Sequence, residues 1–244
     1  MCSQNDGYMD NKSTVQEIRE RFDNDVERFS NLDTGQVSTI DAAVSLELIT
    51  EAAKRIRPEA VNLLDVGCGA GNYTLKMLSK LPGLNCTLVD LSLPMLEKAK
   101  ERVSAIATGE VAIIQSDIRT ASLPKNHYDI ILAGAVFHHL REDTDWLFTF
   151  SKLFNLLKTG GCLMISDLVT EESDTMTAYI REKYGAYLTS VGGIEYKDTV
   201  LAYIDKEDSP RSLVYQLDLM QMIGFRKLEV LHKNTCIAAY GGIK

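Results

Sequence analysis

Between residues 61 and 170 the chain alternates short apolar runs with stretches of helical periodicity. The runs are "VNLLDVG", "NCTLVDLS", "VAIIQSD", "YDIILAGAV" and "GGCLMISDLV". A strand that is apolar on both faces must be covered on both faces, so the pattern predicts a parallel sheet between helices. Helices are expected over 72–80, 93–103 and 144–157, with Ser92 as N-cap and Pro94 in the first turn of the second. Upstream, Val15, Ile18, Phe22, Val26 and Phe29 keep helical spacing, and a further helix is expected over 41–57, with Asp41 as its N-cap and Pro58 after its end. After Thr170 the alternation stops, and 171–205 is polar and aromatic. A helix over 212–223 ends at Gly224, and "RKLEVLHK" and "TCIAAYGG" form a hairpin, so the last strand runs antiparallel to its partner.

Composition bounds the function. With 244 residues, 45% of them hydrophobic, the chain has enough for one sizeable core and an added lid. A net charge of −8 repels phosphate backbones, so nucleic acid is not expected as the main partner. The start, "MCSQNDGYMDNKS", has no apolar core of a signal peptide, and no run is long enough to span a bilayer; a cytoplasmic protein is expected. Cys2, Cys68, Cys86, Cys162 and Cys236 are odd in number and scattered, with no CxxC pair, which reads as reduced thiols and gives no metal site.

The stretch "LLDVGCGAGN" places glycines at 67, 69 and 71, directly after the first apolar run. A dinucleotide fingerprint is GxGxxG, but the sixth position here is Asn72. Asp90 ends the second run, where a carboxylate can accept hydrogen bonds from both hydroxyls of a ribose. Asp117 ends the third and can accept from an exocyclic amine of adenine, with Ile118 beside the ring. Acids so placed leave little room for a pyrophosphate.

At this point "LLDVGCGAGNYT", "CTLVDLSLPMLEKAK", "IIQSDIRTASLP", "YDIILAGAVFHHL" and "LFNLLKTGGCLMISD" resemble, in order, the successive motifs of the class I S-adenosylmethionine-dependent methyltransferases. The resemblance covers roughly 61–168. It implies an α/β fold: a doubly wound, mostly parallel seven-stranded sheet, Rossmann-like, with a reversed last strand and a helical lid. It implies S-adenosylmethionine as cofactor, with Asp65, Gly67 and Gly69 along its methionine part, Asp90 and Leu91 at the ribose, Asp117 and Ile118 at the adenine, and the Ala133 carbonyl near the ammonium. The closing segments also resemble the branch that makes carboxy-S-adenosylmethionine for tRNA modification. That branch holds its extra carboxylate with an arginine in the last helix, whereas 212–223 contains none and Arg211 only precedes it. Two other readings are a cofactor-binding module without transfer activity and a nicotinamide dehydrogenase; Asn72 and the hairpin disfavour the second.

A sulfonium is already an activated methyl donor, so the protein's main task is alignment of donor and acceptor. In "AVFHHLRED", His138 or His139 is placed to deprotonate an acceptor, or else to pack against the cofactor. The Asn-Pro-Pro-Tyr-type motif of relatives acting on amino groups of bases or amides is absent there. The resemblance places lids in an N-terminal unit, 1–40, and in an insertion, 171–211, within a methyltransferase domain of 41–244. Phe22, Arg28, Phe29, Tyr179, Arg181 and Tyr184 are the candidate substrate contacts. The expected activity is methyl transfer to a small-molecule acceptor, by a protein that could form a homodimer.

Overall fold

A computed structural model describes residues 12–31 and 36–244. Cys2, the rest of the first eleven residues and residues 32–35 of the expected N-terminal lid lie outside the described residues. One sheet organises the chain. Its strands are β1 (Asn62–Val66), β2 (Asn85–Asp90), β3 (Val111–Gln115), β4 (Tyr128–Gly134), β5 (Leu157–Leu168), β6 (Arg226–Asn234) and β7 (Ile237–Ile243). They lie in the order β3-β2-β1-β4-β5-β7-β6. All pairings from β3 through β5 are parallel, and β7 is antiparallel to both β5 and β6. The seven strands and the reversed last strand are those expected.

Both faces of the sheet are buried, as unbroken apolar strands require. Leu63 and Ile130 face one core, built with α3 (Ala42–Ile56), α4 (Asn72–Leu78) and α5 (Leu93–Ser104). Their neighbours Leu64 and Ile131 face the other, built with α6 (Asp143–Leu156) and α8 (Leu213–Ile223) around Trp146, Phe150 and Phe225. Consecutive residues thus serve opposite cores, the period of two of a strand.

Three local expectations change. The single helix expected through Phe29 is two, α1 (Val15–Asp23) and α2 (Val26–Ser30), because the chain turns at Asn24, whose amide donates back to the Arg21 and Phe22 carbonyls. Asp41 does sit at the N-cap of α3, but at φ 55° and with no capping bond from its side chain. Its carboxylate instead accepts from His232 Nε2 at 2.9 Å and Asn234 Nδ2 at 2.8 Å, tying α3 to the hairpin. The stretch after Thr170 is a long helical segment, α7 (Asp174–Glu207), broken at Gly193, where φ is 84°. Tyr184, Leu188 and Val200 of α7 bury themselves with Ile40 and Ile237 in a small third core.

At the amino end of the sheet Asp129 is a buried carboxylate with four donors. Arg57 Nη2 and Lys158 Nζ each lie at 2.8 Å, and the Val61 and Asn62 amides at 3.0 Å. Burial would raise this acid, but Lys158 and the two amides outweigh it and hold it below the usual carboxylate range. Asp129→Ala leaves two cations without their partner and should cost about 3 kcal/mol, measured by urea unfolding. A depressed acid stabilises the fold above its unfolded pKa, so that contribution should be lost as pH falls below about 4. A variant as stable as the parent at pH 7 would contradict the assignment.

Candidate active site

Strand order reverses between β1 and β4, and the chain leaves these two strands in opposite directions. A crevice opens outside their carboxyl ends, the usual ligand position of open α/β sheets. A cavity of about 360 Å³ lies there, lined by the loop after β1, the ends of β2 and β4, the turn after β4 and residues of α1, α2 and α7.

The glycines of the loop answer to different neighbours. A Cβ on Gly67 would stand 2.4 Å from Val136 Cγ2, so this glycine is required by the turn after β4. A Cβ on Gly69 would meet nothing within 4 Å, and Gly69 lines the cavity; here the bare backbone borders open space. Both have positive φ, 60° and 49°, which favours glycine. Asn72, the departure from the dinucleotide pattern, donates to the Phe29 carbonyl at 2.9 Å and accepts from Arg102 Nη1 at 2.9 Å. It ties the loop to α2.

Asp90 holds this loop in place. Its Oδ2 accepts from the Gly69 amide and its Oδ1 from the Ser92 amide, both at 2.9 Å. Each oxygen keeps a further lone pair, so the carboxylate can still receive two hydroxyls. Burial raises this acid against those amides. Asp117 also lines the cavity, but its carboxylate grips Arg119, with contacts of 3.1, 3.1 and 2.7 Å. Arg119 overcomes the effect of burial and keeps Asp117 below its ordinary range.

On the other side of the crevice a second acid orders the turn after β4. Asp167, at the end of β5, accepts the Phe137 amide at 2.6 Å, the Val136 amide at 3.3 Å and the Leu168 amide at 2.7 Å. Its Oδ1 also engages His138 Nδ1. Ala135 in this turn stands at φ 58°, a conformation that a non-glycine residue adopts at a cost. The following short helical turn, Phe137–His139, brings two imidazoles to the cavity wall. Asp208, just past α7, lies 3.7 Å from His138 Nε2 and 3.2 Å from His139 Nδ1. Burial would lower His138, but Asp208 and Asp167 overcome it and hold the ring up at about 9. Burial, then the charge on His138, lower His139. At neutral pH His138 is a clamped cation and His139 is neutral.

The third wall is a cover made by α1, α2 and α7. Arg21 grips Glu207 with contacts of 2.9, 2.9 and 2.6 Å. Its guanidinium also lies 4.2 Å from the Phe22 ring centre and 5.1 Å from that of Tyr203. The Phe22 ring approaches Phe29 at 5.5 Å and His139 at 6.1 Å between centres. The Tyr184 hydroxyl donates to the Ser38 carbonyl at 2.8 Å.

Of the residues anticipated from sequence, Gly67, Gly69, Asp90, Leu91, Asp117, Ile118, His138, His139, Phe22, Arg28, Phe29 and Tyr184 come together on this cavity. Four do not line it. Asp65 is buried behind the loop and accepts from Thr74 Oγ1 at 2.6 Å, steadying the start of α4. Ala133 is fully buried within β4, and the next residues, Gly134 and Ala135, reach the wall instead. Tyr179 is 49% exposed on α7, turned away from Tyr184, and Arg181 is held by its ion pair with Asp205 at 2.6 Å. Arg21, Tyr203, Asp167 and Asp208 line the cavity and were not anticipated. For Asp167 a signal existed, an acid closing an apolar strand, as at Asp90. Cys68 is buried and burial pushes its thiol well up, so it is no thiolate. Arg211 is turned away to Asp143 at 2.8 Å and does not line the cavity, so it does not supply there the arginine expected of a carboxy-S-adenosylmethionine synthase.

The open cradle at Gly69 and the spare acceptor capacity of Asp90 fit a nucleoside cofactor. The acid-rich wall also suits one that carries a sulfonium and an ammonium. Comparison with known proteins agrees. Residues 63–161 match the family model described as a methyltransferase domain. The malonyl-[acyl-carrier protein] O-methyltransferase of Priestia megaterium is 26% identical over 72% of this chain and 61% of its own length. Its counterpart from Halalkalibacterium halodurans is 36% identical over 50% of this chain and 44% of its own. The chain thus spans about half the length of these relatives. An O-methyltransferase family protein from Burkholderia thailandensis shares the fold at TM-score 0.61 and 16% identity, over 94% of this chain and 60% of that one. Residues 63–161 thus resemble a methyltransferase domain, and the sheet order with its reversed last strand is the fold expected of the class I S-adenosylmethionine-dependent methyltransferases.

Proposed function

We propose that the protein transfers a methyl group from S-adenosylmethionine to a small-molecule acceptor enclosed in the cavity. The observation that carries this reading is the continuity of one cavity, from Gly69 and Asp90 to His138, His139 and the aromatic cover. When bound, the cofactor supplies an electrophilic methyl. The protein's own contribution is position: Asp90 and the glycine loop fix one partner, and the turn ordered by Asp167 fixes the other. The histidine pair supplies the polar groups facing the acceptor. His139, beside the Phe22 ring on the cavity wall, is the candidate to take a proton from the acceptor. Two relatives named above are O-methyltransferases of a malonyl group on a carrier protein, which supports an oxygen acceptor and places a carrier-bound acyl group among the substrates to be tried.

Helices α1, α2 and α7 form the lid in this reading, latched by Arg21 and Glu207. No described helix is long and apolar enough to cross a membrane, and the acidic balance favours a small molecule over a polyanion.

Release of S-adenosylhomocysteine on mixing with S-adenosylmethionine and a metabolite extract tests the activity directly; no release, with no binding of either nucleoside, would overturn it. Asp90→Ala should weaken S-adenosylhomocysteine by about 1.5–3 kcal/mol, the cost of losing hydrogen bonds to a charged group. Calorimetry giving equal affinity for both proteins would refute the ribose assignment. For the lid, hydrogen exchange in α1 and α7 should slow when S-adenosylhomocysteine binds, and Arg21→Ala should speed exchange in α1 without ligand. Unchanged exchange in both helices on binding would show that they do not close over the ligand.

A further inference from the structure

We propose that His138, His139 and Asp208 form a binding site for one divalent transition-metal ion, zinc foremost, in the wall of the cavity. One ligand atom from each residue lies within 4.8 Å of the others. Asp208 Oδ1 stands 3.2 Å from His139 Nδ1 and 3.7 Å from His138 Nε2. Ligands of tetrahedral zinc, with bonds of about 2.1 Å, stand about 3.4 Å from one another. The two separations bracket that value.

The second observation is a pair of orphans. His139 Nδ1 and Asp208 Oδ1 are both buried and face each other at 3.2 Å, yet neither completes a hydrogen bond of good geometry. Asp208 is 4% exposed. A proton on His138 explains the contact with Asp167, but it leaves these two atoms unsatisfied. A cation between them and His138 Nε2 satisfies all three.

The rest of the geometry fits that cation. The ion would displace the Nε2 proton of His138 and take over its charge, while Asp167 Oδ1 holds Nδ1 and keeps the ring oriented, the usual carboxylate support of a metal-bound histidine. The chain brings the ligands together deliberately: the Ser209 amide, next to Asp208, donates to the His138 carbonyl at 2.7 Å. Asp167 and Asp208 bring two buried carboxylates against the histidine pair, and Arg21, a nearby cation, is already paired with Glu207. Two imidazoles with one carboxylate suit zinc rather than magnesium or calcium. Three protein ligands leave a fourth position, and all three residues line the cavity. That position would take an oxygen of the acceptor, a hydroxyl or a carboxylate; this last step rests on the methyl-transfer reading, whereas the metal site does not.

The full-length protein, stripped with a chelator, is titrated with zinc by calorimetry and with cobalt by visible absorption. One equivalent should bind, and cobalt should show the intense bands of a four-coordinate site. Asp208→Ala and His139→Ala should each weaken zinc at least tenfold, and Asp167→Asn by about 10–100-fold. Circular dichroism checks folding of each variant; if Asp208→Ala is unfolded, Asp208→Asn keeps the shape and removes the charge. Absence of stoichiometric zinc binding by the parent, or equal affinity in the folded variants, overturns the proposal. S-adenosylhomocysteine binding on the same samples keeps the two readings apart: zinc bound without the nucleoside sinks the methyl-transfer reading and leaves the metal site standing.

Discussion

Gly67 and Val136 meet where β1 and β4 part, and the contact leaves no space for a Cβ at residue 67. Everything at the carboxyl end of the sheet is built on that approach. It lets the loop after β1 and the turn after β4 share a floor while their chains diverge. The crevice above is therefore floored by the Val136 side chain packed on the bare backbone of Gly67. Each bank is then set by one strand-end acid. Asp90 collects the Gly69 and Ser92 amides, and Asp167 collects those of Val136, Phe137 and Leu168. A carboxylate that accepts several amides is costly to desolvate but holds loops rigidly once buried. Such rigidity matters for a reaction whose main demand on the protein is alignment, because small misplacements cost rate steeply.

Much of this was legible in the chain. The unbroken apolar runs, the glycine loop and acids closing consecutive strands are local patterns, and they gave the sheet, the crevice and most of the wall. The failures share a physical cause: they depend on partners far off in sequence. Asp41 reads as an N-cap, yet His232 and Asn234 compete successfully for its carboxylate from the terminal hairpin. Tyr179, Arg181 and Tyr184 read alike in a polar, aromatic stretch. Only the phase of α7 on the third core separates Tyr184, which is buried, from Tyr179, which is exposed. Asp208 has no local signal at all; seventy residues separate it from His138, and only the return of α7 over the sheet joins them. The helix break at Asn24 is a further case, since the apolar spacing runs through it undisturbed.

The cover shows the same dependence from the other direction. Arg21 on α1 and Glu207 at the end of α7 are both ordinary surface residues by sequence. Together they form a forked, two-oxygen contact beside the histidine pair, with Arg21 also lying on the Phe22 and Tyr203 rings. A planar guanidinium can serve a carboxylate edge-on and an aromatic face at once, which lysine cannot. Asn72 fastens the other helix of the cover, α2, to the glycine loop itself. The residue that departs from the dinucleotide pattern thus has a positive use: it couples the glycine loop to the helix that carries Phe29.

The acids that build the site also leave it under electrostatic stress. Burial pushes Asp65 up to about 7 and raises Asp90 as well. For such groups the folded state prefers the protonated form, so stability is fully present below the unfolded pKa, near 4, and is lost as pH rises toward 7. Where these acids are ionised, the empty protein holds negative charge that burial disfavours. Asp90 faces the cavity, so a ligand carrying positive charge relieves that strain on binding there, whereas a neutral or anionic one of the same shape does not; Asp65 lies behind the loop. Because a ligand that binds only the folded chain stabilises it in proportion to that differential affinity, the penalty in the empty state becomes selectivity in the filled one. Asp90, unfavourable for folding by its burial, thus favours a cationic ligand over the pyrophosphate that other glycine loops of this architecture accept.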